Sequence, residues 1–206
     1  MNLLAIDTTG AALSLALQAG ERTIIFHKEL SLPHDETLLP RTRRLLDRAG
    51  LRWGDLDALA AASGPGRFTG IRIGMAFTAV MARRLRVPAL AVSRFAALAA
   101  SAPGKLVCAV LPGYRDESFY QLYRRAPSGE MRPAGGPVWA AAEDWERARR
   151  EIAARGAVFA ESAVRAADLI TCAERLLRGN RRTPFEPLYL KPASYERKNH
   201  KARMPR

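Results

Sequence analysis

Cysteine is scarce in this chain. Cys108 and Cys172 are the only two in 206 residues, far apart and each in apolar surroundings. No Cys-x-x-Cys pair exists, which excludes a zinc ribbon and a disulfide framework. The two thiols read as small buried hydrophobes of a reducing compartment. Histidine is limited to His27, His34 and His200, with no pair at a spacing that puts two imidazoles on one helix face. A lone imidazole does not make a transition-metal site, so no metal is expected. Aromatic residues are 7% of the chain and do not interleave with basic ones, which argues against a base-stacking platform. No apolar run is long enough to span a membrane. The opening "MNLLAIDTTG" lacks a basic leader region and is broken by Asp7. The expectation is a cytoplasmic protein with no membrane partner.

What is present is a mixture ordinary for a folded protein, 48% hydrophobic and 26% charged, with an unusual charge balance. Lys and Arg number 33 against 20 Asp and Glu, a formal +13. Only five of the 33 are lysines. Arginine forks phosphate better than lysine, so a polyanionic partner fits this excess. A coding sequence rich in G and C fits it equally well.

The apolar pattern divides the first hundred residues cleanly. "NLLAID" is a short apolar run closed by Asp7, "LSLALQAG" alternates and stops at Gly20, and "RTIIFHKEL" follows directly. Three strands joined by tight turns make an antiparallel meander. "HDETLLPRTRRLLDRAG" then places Leu38, Leu39, Thr42, Leu45, Leu46 and Ala49 on one helical face, with Arg41, Arg43, Arg44 and Arg48 outward and Gly50 as the stop. Pro40 costs little there only in the first turn or at a kink. "LDALAAASG" reads as a strand buried on both faces. A helix from about Thr69 to Leu85 follows, then a strand and a helix in "ALAVSRFAALAAS".

The second half is less sharply punctuated. "KLVCAVLPGYRDESFYQLYRR" predicts two strands around a polar turn, and "GEMRPAGGPVWAA" one edge strand. "AEDWERARREIAARG" predicts a helix, "AVFAES" a strand and "ADLITCAERLLRGN" a last helix, a faint β-β-β-α echo of the first half. The organisation expected is an N-terminal α/β unit over 1–100, a smaller one over 101–192, and a basic mobile tail over 193–206.

Three motifs carry functional information. "LLAIDTTGAALSLAL" has an Asp closing the first strand, Thr8 and Thr9 in the turn and an alternating return strand. It resembles the first phosphate loop of the actin, sugar-kinase and Hsp70 ATPase superfamily. "HDETLLP" is the second motif. "GDLDALAAASGPGRFTGIRIG", Gly54 to Gly74, is the third and most specific. In this order and spacing they resemble the bacterial TsaB family, also called YeaZ. The likeness covers roughly residues 2–95 and returns at "EPLYLKP", Glu186 to Pro192. It implies an actin-like, ribonuclease-H-type α/β fold of two subdomains, each a mixed sheet with flanking helices. It also implies a role in making N6-threonylcarbamoyladenosine at position 37 of tRNAs that read ANN codons. Members of that family are not the catalyst. They pair with the related TsaD subunit, which carries the metal and transfers the threonylcarbamoyl group, and with the ATPase TsaE.

The residues agree with a non-catalytic role. The metal-holding His-x-x-x-His of the catalytic relative corresponds here to His34 and Leu38, so the second ligand is lost. The second phosphate loop should fall in "AVLPGYRDESFY", where Gly113 and Tyr114 stand before Arg115 in place of the family's acidic residue. Asp116 and Glu117 are expected to face solvent in that turn. Ser63 lies in "SGPG", which is not a Gly-x-Ser-x-Gly elbow, and no histidine is near it in sequence. One half of a nucleotide clamp, Asp7, Thr8 and Thr9, survives as a vestigial phosphate loop. No catalytic residue is expected, and no cofactor is expected on the chain alone, with ATP or ADP conceivable at the partner interface.

On the helix after the third motif, Gly70, Gly74, Thr78 and Ala82 recur every fourth residue beside Ile71 and Met75. Glycine inside a helix costs about 1 kcal/mol relative to alanine, so close contact must compensate. The contact is either internal, or, as the resemblance implies, a helical bundle shared with TsaD, and a mixture of the two is expected. The interface candidates are His34, Leu38, Arg41 and Leu45 on the first helix, Arg67 and Phe68 at the loop tip, and Thr69, Gly70, Arg72, Gly74, Met75 and Thr78 on the second. Expected partners are a TsaD-like subunit, a TsaE-like ATPase and, through the complex, tRNA, with a homodimer of the isolated chain left open. A stand-alone ATPase or phosphotransferase and a basic tRNA-binding module are the competing readings.

Overall fold

A computed structural model describes residues 1–29, 33–113, 115–179 and 184–191. Tyr114, Pro192 and the basic tail lie outside the described residues. The opening meander forms as the alternation requires. Strands β1 (Asn2–Asp7), β2 (Ala12–Ala19) and β3 (Arg22–Glu29) pair antiparallel in sequence. Helix α1 (His34–Ala49) leads to β4 (Ala58–Gly64), α2 (Phe68–Leu85), β5 (Ala89–Ser93) and α3 (Arg94–Ser101). β4 and β5 join parallel to β1, giving a five-stranded sheet of order β3-β2-β1-β4-β5.

The second half repeats the plan. β6 (Leu106–Pro112) and β7 (Ser118–Arg125) are antiparallel. The single edge strand expected in "GEMRPAGGPVWAA" is instead two short ones, β8 (Met131–Pro133) and β9 (Val138–Ala140), both on β7. Gly135, Gly136 and Pro137 break the run, and Gly135 gives its carbonyl to the Gln121 side chain at 3.0 Å. Helix α4 (Ala142–Ala154), strand β10 (Val158–Ala160) parallel to β6, and helix α5 (Ala166–Arg178) complete it. The order β10-β6-β7-β8 has the same sense as β4-β1-β2-β3, so the faint echo is a topological repeat.

Alternation along β1 decides the layers. Leu4 and Ile6 face a core shared with Leu38, Leu45 and Leu46 of α1 and Ala82 of α2. Leu3 and Ala5 face the other way, into a core holding Phe95 and Leu98 of α3, Leu169 and Ala173 of α5, and Val107 and Leu111 of β6. Each fully buried aliphatic side chain contributes about 1.5–3 kcal/mol. α3 and α5 therefore form a middle layer between the sheets. α5 is tied to the first sheet by polar contacts too, with Ala166 N–H donating to Ser14 Oγ (2.9 Å) and Gln18 Nε2 to Glu174 Oε1 (2.8 Å).

Two expectations for α1 need correction. Leu39 is 51% exposed, because it lies at the rim of the stripe that Leu38, Thr42 and Leu45 centre on the sheet. Pro40 sits in the second turn of the helix, beyond the first-turn position where it is cheapest. Glu36 and Pro40 are both exposed, so the carbonyl left without an N–H partner faces water.

Candidate functional site

The residues that resemble a first phosphate loop, Asp7, Thr8 and Thr9, lie where β1 ends and are almost wholly buried. Asp7 is 3% exposed. Its Oδ1 accepts from Thr9 N–H (2.8 Å) and Thr9 Oγ1 (2.6 Å), and its Oδ2 lies 3.4 Å from Arg94 Nε at the start of α3. The same guanidinium donates to Pro65 O at 3.0 Å, tying the third motif to the ion pair. Both carboxylate oxygens are thus engaged. A phosphate-bound cation at Asp7 would have to displace a partly buried arginine, and these residues do not fit one.

The third motif clamps the Thr8–Thr9 turn. Arg67 N–H donates to Thr9 O (2.8 Å), and Thr8 Oγ1 donates to Gly70 O (2.6 Å). A β-carbon on Gly66 would lie 2.7 Å from Thr9 O, one on Gly70 2.1 Å from Thr8 O, and one on Gly74 2.5 Å from Thr8 Oγ1. Gly66 and Gly70 are needed because backbone meets backbone, and Gly74 because the buried Thr8 hydroxyl lies against it. The small-residue stripe is therefore spent inside the chain. Gly70 and Gly74 are buried and Thr78 and Ala82 are 0% and 2% exposed. Gly70, Gly74 and Thr78, expected at a partner interface, are enclosed by that packing within the chain itself. Leu38, Leu45 and Met75 are likewise core residues, exposed by 2%, 2% and 6%.

The other candidates are on the surface or close to it. Arg67, Thr69 and Arg72 are exposed, and His34, Arg41 and Phe68 are half-buried. His34 faces Thr8 O through Nδ1 and Ala11 O through Nε2, each at 3.2 Å, so it ties α1 to the phosphate-loop turn. Arg41 stacks over Phe26 at 5.1 Å. Among the described residues no group of three metal-ligating side chains comes together. Around the paired starts of α1 and α2, Gly10, His34, Asp35, Arg67, Thr69 and Ile73 line an open groove of about 660 Å³.

The cleft between the two sheets is occupied by the chain itself. Residues 184–191 cross it, with Leu188 N–H donating to Ser63 O at 2.8 Å. Gly64 has φ +112°, and a β-carbon there would meet Leu188 O at 2.8 Å. Phe185 packs on Ile71 and Met75, while Leu188 and Leu190 join the core of the middle layer. Tyr189 stacks on Phe68 (4.9 Å) and accepts from Arg72 Nε (3.1 Å), with the Arg72 guanidinium 3.8 Å above the Phe68 ring. The space left among Gly66, Phe119 and Leu190 is about 40 Å³. Glu117, expected in solvent, is instead ion-paired to Lys191, whose ammonium also lies 5.0 Å from the Trp139 ring, whereas Asp116 is exposed. Ser63 is 6% exposed.

Two parts of this arrangement are not legible in the motifs. Arg94 is a single arginine at a strand–helix junction with no neighbouring signature. The filling of the cleft by 184–191 had one signal, the apolar Phe185, Leu188 and Leu190 after the last helix, but spacing does not say where such a segment docks.

Comparison with known proteins agrees with this geometry. A family model described as "TsaD: tRNA N6-adenosine threonylcarbamoyltransferase" matches residues 25–173. The chain is 34% identical over 134 residues to the tRNA threonylcarbamoyladenosine biosynthesis protein TsaB of Escherichia coli, covering 63% of this chain and 58% of that one. It is 36% identical over 103 residues to the protein of that name from Haemophilus influenzae, covering 50% and 43%. The chain thus spans about half the length of the curated relatives it matches. The solved structure of YeaZ from Pseudomonas aeruginosa superposes with a TM-score of 0.74 at 30% identity, over 91% of this chain and 100% of that one. These matches, together with the repeated actin-like topology, place the chain in the tRNA N6-adenosine threonylcarbamoyltransferase family, on its TsaB/YeaZ branch.

Proposed function

We propose that the chain is a non-catalytic subunit in the formation of N6-threonylcarbamoyladenosine on tRNA, acting with a TsaD-like transferase and a TsaE-like ATPase. One observation carries the reading. The residues that an actin-fold phosphotransferase needs free are consumed by the chain's own contacts. Asp7 is held by Arg94 and Thr9, and segment 184–191 fills the cleft. The position of the second metal-ligating histidine is Leu38, a core residue. The chain alone then holds no cofactor, and any nucleotide contact falls at an interface with the transferase.

The surface left for that partner is the outer side of α1 and α2. Val80 is 66% exposed and Leu39 51%, with Ala76 and Ala79 exposed beside them. Thr69 and Arg72 continue this side of α2 toward the loop tip. Among the described residues no helix is long and apolar enough to cross a membrane. An exposed apolar face of this kind suits a protein partner.

The test is co-purification of the chain with a TsaD-like protein, followed by tRNA modification assays with and without the chain. The expected result is stable association and modification that needs both. ATP hydrolysis by the isolated chain that disappears on Asp7→Ala would overturn the reading in favour of a stand-alone phosphotransferase.

A further inference from the structure

The arginine excess is not spread evenly, and the fold gathers part of it. α1 and α2 both begin at the Thr8 turn, where His34 meets Thr8 O and Gly70 packs on the same carbonyl. They run 16 and 18 residues away from it, so both end at the opposite edge of the first sheet. At ~1.5 Å per residue that edge lies about 24–27 Å from the turn. Arg48 at the end of α1 and Arg83, Arg84 and Arg86 at the end of α2 are all exposed there, with Arg43 and Arg44 exposed further back on α1. None of the six forms an ion pair with a described residue. The carboxylates nearest in the chain are partly used, since Asp57 accepts from Asn2 N–H and Asp55 from Arg52 N–H. Asp47 of α1 and Glu21 of the β2–β3 turn are the acidic side chains left at this edge. Arg83, Arg84 and Arg86 border a shallow groove of about 740 Å³, walled by Gly54, Val80 and Leu85.

We propose that this edge is a docking surface for the sugar–phosphate backbone of RNA. The proposal rests on the tRNA-modification reading above and gives this chain a direct hold on the substrate. Complementarity to a helix dipole explains only part of the cluster. That effect is confined to the helix end, where Arg48, Arg83, Arg84 and the terminating residue Arg86 lie, but Arg43 and Arg44 stand more than a turn earlier. Six guanidiniums without an ion pair to any described residue, four at the helix ends and two further back on α1, make a positive surface that attracts anions. Arginine presents a planar fork of donors to a phosphate, and such contacts fix position without reading sequence.

The experiment titrates tRNA against the complex of this chain with its TsaD-like partner, and in parallel against the isolated chain. Salt is varied over about 50–300 mM, where backbone contacts dominate the response. The probe variant replaces Arg44, Arg48, Arg83 and Arg84 by Gln, and a second variant replaces the same four by Lys. Each lost phosphate contact flattens the plot of log K against log salt by about 0.7–0.9. The Gln variant should flatten it by about two or more and lower affinity at least about tenfold at low salt. The Lys variant should keep most of the slope. Unchanged slope and affinity in the Gln variant overturn the proposal. Loss of association with the partner also overturns it, because the edge is then a protein contact. A lowered melting temperature with unchanged tRNA binding overturns it in favour of the helix-dipole role. A wild-type chain that captures no TsaD-like protein defeats the proposed function instead, and the isolated-chain titration still decides the RNA surface.

Discussion

Gly70 and Thr8 are locked face to face. The Thr8 hydroxyl donates to Gly70 O at 2.6 Å, and a β-carbon on Gly70 would fall 2.1 Å from Thr8 O. This contact welds the start of α2 to the turn that closes β1.

Gly70→Ala is expected to destabilise the chain by at least about 2 kcal/mol, because the obstacle is backbone and cannot rotate aside. Thr8→Val, which removes only the hydroxyl bond, should cost about 1–2 kcal/mol. Chemical denaturation of both variants checks the order. A Gly70→Ala chain as stable as wild type would show that the turn and helix are not in this contact.

Gly74→Leu, attractive from sequence as a test of partner binding, is expected to fail as one. Its β-carbon would already lie 2.5 Å from Thr8 Oγ1, so the substitution strikes the fold before any surface. Val80→Asp is the informative change, since that side chain is 66% exposed. It should leave the melting temperature within about 2 °C, the range of surface substitutions in a chain of this size, while weakening capture of the transferase.

Arg94→Met leaves the Asp7 carboxylate buried without its cation, and should cost about 3 kcal/mol or more. Pairing it with Asp7→Asn should recover a large part of that loss, since no buried charge then remains. A double-mutant cycle by urea denaturation reads the coupling. Additive effects would mean that the 3.4 Å pair contributes nothing.

Ending the chain at Thr183 should lower the melting temperature by about 5–15 °C, through the apolar contacts of Phe185, Leu188 and Leu190, about 2–4 kcal/mol together. Calorimetry with ADP and Mg²⁺ should give no binding even to the shorter chain, because Asp7 stays paired with Arg94. Binding gained on truncation would make segment 184–191 the sole barrier.

Both thiols should resist alkylation in the folded protein at pH 8. Burial pushes the Cys108 thiol up to about 12 and that of Cys172 to about 11, so each is protonated well above that pH. Mass spectrometry after iodoacetamide treatment, with and without denaturant, distinguishes this from a reactive cysteine.

Most secondary structure was legible in the chain. Alternation along "LSLALQAG" can satisfy only a two-faced strand, and the stripe from Leu38 to Leu46 only a helix lying on a sheet, so the meander and α1 follow from side-chain period. The third motif was legible as a place of close approach, since glycines inside a helix demand a neighbour. The expectation allowed both an internal neighbour and a partner, and the neighbour these glycines meet within the chain is the Thr8–Thr9 turn. Spacing fixes the side of α2 on which Gly70 and Gly74 lie, but not that the Thr8–Thr9 turn reaches that side first.

What the amino-acid order determined by itself is therefore local: strand, helix and turn, and the charge excess. Tertiary structure alone decided the rest. It brought Arg94 across to Asp7, laid residues 184–191 into the cleft between the sheets, and set the arginine-bearing ends of α1 and α2 at one edge. Side-chain period is a property of consecutive residues. Pairing between residues scores of positions apart depends on how layers stack, and no local pattern encodes it.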